Sequence, residues 1–222
     1  MVPVRPDRAQ GPHIVVSAPI LSDVATELTP PVLAPPSLPV ATERLLLRPV
    51  IASDSAAIGA YCADPEVTRY LPFPALDADG LAARMERLVA GTAPSQPGEI
   101  LALAVEHDGV LVGDLMLRLG DRHGPTDPPA IGELGWVFAP EHGGRGFATE
   151  AAGALVDLAF THYPLHRLMA RLDPRNLASA RLCERLGMRH EAHTRQDYPD
   201  RDGSWSDTAV YGLLRSEWTG RS

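Results

Sequence analysis

Residues 143–146 read Gly-Gly-Arg-Gly, inside the longer string APEHGGRGFATEA at 139–151. Glycine gives up more backbone freedom on folding than any other residue, so three of them at one junction need a reason. Here an apolar run (131–139) hands over to an alanine-rich stretch with helical spacing (147–163). The start of a helix presents unpaired backbone N–H groups and the positive end of the helix dipole, which together attract an anion. Glycines leave no side chain between those amides at 143–148 and a ligand, and Arg145 adds a fork of charged donors beside them. A diphosphate suits such a cradle, each charge-assisted bond being worth about 1.5–3 kcal/mol before losses.

Three kinds of glycine turn compete for this reading. A phosphate-binding loop of the nucleotide-hydrolase type needs a lysine, and all 20 basic residues of this chain are arginine. A dinucleotide-binding turn needs a third glycine where Thr149 stands, and it normally follows the first strand of its domain rather than a late one. The third kind is the coenzyme A loop of N-acetyltransferases, with the pattern Gln/Arg-x-x-Gly-x-Gly/Ala at a strand-to-helix junction. Gly143 through Ala148 fit it except at the first member, where Gly143 replaces a long polar residue.

The elements that would position this turn can be read from the pattern of apolar residues. Strands are expected at 42–50, at 99–119 as a hairpin about His107-Asp108-Gly109, at 131–139, 165–173, 188–195 and 208–215. Helices are expected at 54–71, 76–91, 147–163 and 176–187; Asn176 is a cap for the last and Gly187 its stop. Strand-helix-strand order in the second half implies a parallel pair, hence a mixed α/β sheet. Gly135 inside a strand fits a bulge or the close approach of a ligand.

Composition bounds the rest. The chain has 222 residues and a formal net charge of −8, a size for one domain with an extension. Residues 1–40 hold nine of the 22 prolines and read as a mostly disordered arm, with 14–21 a candidate edge strand; the folded domain is expected over 41–219. An acidic chain without a basic tract is a poor partner for nucleic acid. No apolar run reaches the length of a membrane span, and no secretory leader is evident, so a cytoplasmic location is expected. Cys62 and Cys183 read as reduced thiols, and neither they nor the histidines (His162 and His166, or HEAH at 190–193) have metal-ligand spacing; no metal is expected.

Four strings in order, TERLLLRP, ELGWVFAPEHGGRGFATEA, DPRNLASARLCERLGMR and VYGLLRSEW, carry a resemblance to the GNAT acetyltransferase superfamily. Within it the chain resembles the ribosomal-protein N-terminal alanine acetyltransferases (RimJ/RimL-like). The resemblance implies an acyl-CoA N-acyltransferase fold, a mixed central sheet splayed at the cofactor and flanked by helices. It implies acetyl-CoA as cosubstrate and direct transfer of acetyl to an amine. The coenzyme would be held by Gly143, Gly144, Arg145, Gly146, Phe147, Ala148 and Thr149, by backbone groups of Val137, Phe138 and Ala139, and by Asn176.

Two proton transfers are then needed. At pH 7 an α-amine with a pKa near 8 loses only about 1–1.4 kcal/mol to protonation, against about 4.6 kcal/mol for a lysine. A modest base therefore suffices for an N-terminal acceptor. Glu133 is the candidate, acting through water, with His142 an alternative. Many relatives use a tyrosine to protonate the leaving thiolate; here Cys183 stands in its place, and Ser179 matches the serine suited to that role in the RimJ/RimL-like branch. The polar stretch 195–205 would line the acceptor site, where Tyr198, Asp197, Asp200 and Asp202 could attract a cation. A protein N-terminus, a small amine such as an antibiotic or polyamine, and a non-catalytic coenzyme-binding module are the competing readings; a homodimer is left open.

Overall fold

In a computed structural model, the chain is described over residues 35–120, 130–200 and 203–220. The expected arm lies outside these residues up to position 34, together with the edge strand expected at 14–21, and Asp202 lies outside them as well.

The strands are β1 (Val40–Ala41), β2 (Leu46–Pro49), β3 (Ile100–His107), β4 (Val110–Leu119), β5 (Ile131–Phe138), β6 (Arg167–Leu172), β7 (Arg189–Pro199) and β8 (Trp205–Leu214). They form one mixed sheet in the order β1-β2-β3-β4-β5-β6-β8-β7. The helices are α1 (Ser55–Cys62), α2 (Pro65–Thr68), α3 (Ala78–Ala90), α4 (Phe147–His162) and α5 (Leu177–Arg185). The helix expected over 54–71 is broken because Pro65 cannot continue α1. Asp64 restarts the chain as the cap of α2, accepting from the Glu66 N–H at 2.8 Å. The β3–β4 connection is the two-residue hairpin that Asp108-Gly109 predicts, both residues lying in the left-handed region (φ 50° and 77°).

Alternation along the strands divides the core. One face carries Leu101, Leu103, Val105, Leu115 and Leu117 against α4 and α5; the other carries Ala102, Ala104 and Val137 against Ile58 and Cys62 of α1 and Met85 and Leu88 of α3. Cys62 and Cys183 thus lie in cores on opposite faces of the sheet, both unpaired and fully buried. Under the second face, Asp114 of β4 accepts from Tyr61 Oη and from Arg84 Nη2, each at 2.6 Å.

Two differences from expectation matter for the site. β7 and β8 reach to Pro199 and back to Trp205, so the polar stretch 195–205 is largely an edge hairpin rather than a loop. An edge strand exposed along nearly its whole length needs no apolar alternation, and register shifts at His190/Ala192 and Thr194/Tyr198 absorb the irregularity. No bulge occurs at Gly135, which pairs with Met116 in an unbroken β4–β5 ladder.

β5 and β6 are parallel, as the strand-helix-strand order predicts, but they pair at only three positions, Ile131↔Arg167, Gly132↔Leu168 and Glu133↔Met169. Beyond Glu133 the two strands part. The sheet is splayed there.

Candidate active site

α4 begins at the glycine turn. Gly144 and Gly146 take positive φ (74° and 80°), conformations in which an L side chain is strained, and Gly146 is the residue that caps the helix. The first backbone N–H groups with intrachain acceptors are those of Thr149 and Glu150, both donating to the Gly146 carbonyl at 3.1 Å. The N–H groups of Gly144, Arg145, Gly146, Phe147 and Ala148 have no acceptor among the described residues. Five consecutive unpaired amides at a helix start are a built anion site. Gly143, Gly144, Gly146, Phe147, Ala148 and Thr149 line a cavity of about 1680 Å³ that runs from this turn toward α5.

Arg145 does not reach into that cavity with its side chain. Its guanidinium meets His107 Nε2 at 3.0 Å and stacks over the Phe147 ring at 4.5 Å. Arg185 of α5 lines the cavity, and the cation on its wall beside the glycine turn is Arg44, from the turn before β2. It also covers Phe147, donates to the Arg145 carbonyl at 2.9 Å, and pairs with Glu150 at 2.6 Å. Burial alone would raise the Glu150 carboxyl. Hydrogen bonds from the Thr42 hydroxyl, the Arg44 N–H and the Arg44 guanidinium outweigh it and hold that carboxyl below its usual value of 4.5.

The inner edge of β5 forms the next part of the wall. Ala139 donates its N–H to Val112 on the β4 side, and Ala130 accepts from His166 and Arg167 on the β6 side. With a period of two, the backbone groups of Leu134, Trp136 and Phe138 then face the gap left by the departing β6. Phe138 is placed where a ligand could pair with its backbone. Val137 and Ala139 direct their backbone groups toward β4 instead, although Val137 also lines the cavity.

A second cavity of about 670 Å³ opens on the other side of the gap, between residues 69–72 and the β7–β8 hairpin. Glu133 lies in its wall, with its carboxylate held by Arg118 Nη2 of β4 at 2.6 Å. Asp173, Asp197, Tyr198, Asp200 and Asp207 line the hairpin side. Asp197 is held below its usual carboxyl value: burial pushes it up, and the Thr194 and Thr208 hydroxyls more than offset this. Asp207 is held low by His193 and by the Gln196 N–H.

The two cavities share four residues, Leu71, Trp136, Asn176 and Ser179. Asn176 caps α5 by accepting from the Ser179 N–H at 3.1 Å, and the Trp136 Nε1–H donates to Ser179 Oγ at 3.1 Å. Sequence reasoning selected Asn176 and Ser179, together with Glu133 on one side and the glycine turn on the other. It missed Trp136, Arg44 and Arg118. Trp136 and Arg44 lie inside strings singled out for their resemblance, but only the splay and the β1–β2 turn reveal which way they face. His142 lies at the rim of the larger cavity, in the short turn Pro140–His142.

Neither thiol is placed for nucleophilic work. Burial pushes Cys183 up to about 12 and Cys62 up to about 11, and neither lines either of these two cavities. His162 and His166 flank Pro164 at the end of α4, and His190 and His193 lie on the exposed edge strand β7.

A family described as acetyltransferase (GNAT) domain matches residues 44–189. The uncharacterized N-acetyltransferase YnaD of Bacillus subtilis (strain 168) is 28% identical over 180 residues, covering 81% of this chain and 98% of YnaD. The GNAT-family acetyltransferase structure from Bacillus anthracis superposes with a TM-score of 0.70 at 27% identity, over 81% of this chain and all of that one. Mycobacterium smegmatis RimJ in complex with CoA-disulfide gives a TM-score of 0.67 at 26% identity, over 79% and 84% of the two chains.

Proposed function

This chain belongs to the GNAT acetyltransferase family and is an N-acetyltransferase, and on that premise we propose that it carries acetyl from acetyl-CoA directly to the α-amine of a polypeptide N-terminus. The observation that carries the reading is the run of five unpaired amides at 144–148, opening on a cavity that meets a second cavity at Ser179. The amides, with Arg44 beside them, would hold the coenzyme's diphosphate. Trp136 and Phe138 would present backbone groups to the rest of the coenzyme. The acceptor amine would enter from the second cavity, and a preorganised N–H facing the gap would stabilise the charge that develops on the carbonyl oxygen.

Glu133 is the group we assign to receive the amine's proton, through water; its second oxygen has no partner among the described residues. Ser179 is assigned to the departing sulfur. With both thiols buried and protonated, the acyl group has no cysteine to rest on, which favours transfer in one step. The RimJ/RimL-like resemblance of the four sequence strings favours a protein N-terminus. The aspartates of the β7–β8 hairpin favour a second reading, a small polycationic amine, because three carboxylates line one side of the entrance.

Thiol release from acetyl-CoA, measured with peptides bearing a free N-terminal alanine and with spermidine, decides between them. Turnover with the peptides at a higher kcat/KM supports the first reading. Preference for spermidine transfers the assignment to the second, and failure of calorimetry to detect any CoA binding removes both.

A further inference from the structure

The sequence assigns Trp136 no role, yet it stands where the two cavities meet. It lies on β5 three residues beyond the last β5–β6 pair, inside the splay. It lines both cavities, and its indole N–H donates to Ser179 Oγ at 3.1 Å. Ser179 is itself fixed from below, its backbone N–H donating to the Asn176 side chain.

A serine hydroxyl has one hydrogen to donate and two lone pairs to accept with. An indole N–H can only donate, so Trp136 must occupy a lone pair and cannot take the serine's hydrogen. No described residue accepts from Ser179 Oγ. The hydroxyl hydrogen therefore has to find its acceptor in the space where the two cavities meet. Donation into the oxygen also polarises the O–H bond and strengthens it as a donor.

We propose that Trp136 is a positioning residue that orients the Ser179 hydroxyl as a hydrogen-bond donor to the sulfur leaving group. This rests on the acetyl-transfer reading above. In the net reaction the C–N bond forms, the C–S bond breaks, and the proton lost by the attacking amine ends on sulfur. Ser179 stabilises the developing thiolate during that exchange. The Trp136 indole acts on the sulfur only through Ser179, whereas its backbone faces the coenzyme side of the gap.

Trp136→Phe keeps the ring's packing and removes the N–H. Loss of one neutral hydrogen bond used in the transition state predicts a fall in kcat of about tenfold, with KM for acetyl-CoA and for the N-terminal-alanine peptide within about twofold. In a Ser179→Ala background the same substitution should change kcat by less than about twofold, because the group it orients is gone. An equal fall in both backgrounds, an effect confined to KM, or an unchanged kcat overturns the proposal.

Wild-type protein that binds CoA but transfers acetyl to neither peptide nor spermidine sinks the acetyl-transfer reading instead. The hydrogen bond is then tested without turnover. The chain has three tryptophans, and Ser179→Ala should shift one indole N–H resonance, the same one that moves when CoA is titrated into the wild type. If the serine substitution moves no indole resonance, or moves one that CoA leaves alone, the proposal falls.

Discussion

The two cavities are built by different means. The larger one is made of backbone: glycines 143, 144 and 146, the unpaired amides after them, and the inner edge of β5. The smaller one is made of side chains drawn from the segment after α2, from β4, β5 and β6, and from the β7–β8 hairpin. A backbone site leaves a signature in a short stretch of sequence, because only certain residues permit its conformation. A side-chain site assembled from several separate segments leaves no contiguous one. The larger cavity was therefore legible as a unit, and the smaller only as separate residues such as Glu133, Asp197, Tyr198 and Asp200.

Substitutions can test this division. The largest effect should come from a buried ion pair in the core beneath β4, the strand beside β5. Asp114 lies on β4, paired with Val137 of β5, 2% exposed and bonded to Tyr61 and Arg84. Asp114→Ala strands the buried Arg84 charge and should cost about 3–5 kcal/mol in denaturant unfolding. Coenzyme and acceptor affinity should then fail together; selective loss of one would mean that the pair supports a single cavity.

Gly146→Glu should separate the halves. It sets an L side chain at φ 80° and a carboxylate among the amides, and like charge against a diphosphate should weaken CoA binding by about 1,000-fold in calorimetry. Retained affinity would place the anion site elsewhere. Glu133→Gln acts on the other half. As loss of a general base it should lower kcat by about 100-fold while CoA affinity stays within about twofold. An unchanged kcat would pass the proton transfer to another group.

The smallest effect is one of pH. The Glu150 carboxyl is held below 4.5 in the folded state, so its pairing with Thr42 and Arg44 stabilises the protein fully above that value. The contribution is lost as pH falls from about 4.5 through the folded value. Glu150→Gln should lower Tm by a few degrees at pH 6 and by progressively less toward pH 3. A constant gap across that range would show that the ion pair adds nothing.

Element types were readable wherever burial imposed a period, as in β3 to β5, α3 and α4. They were misread where it did not. Residues 195–200 are polar because β7 is an exposed edge, and polarity there suggested a loop. The helix over 54–71 was drawn through Pro65, although the restriction proline imposes was visible. Arg145 shows a different limit: its charge was evident, but the Phe147 ring and His107 that draw it aside come together only in the fold. For Glu133 the position along the strand was legible and the Arg118 partner was not, since cross-strand register is a property of two segments at once.

The three rungs between β5 and β6 make the sheet a pair of leaves on a short spine, β1 to β5 on one side and β6, β8 and β7 on the other. Past that spine, Trp136 and Phe138 have backbone groups with no strand to answer them. An extended molecule carrying its own amides could lie between the leaves and complete the missing rungs. Such a guest would be mortar as well as reagent, and its departure would return the two leaves to the independence their brief seam allows.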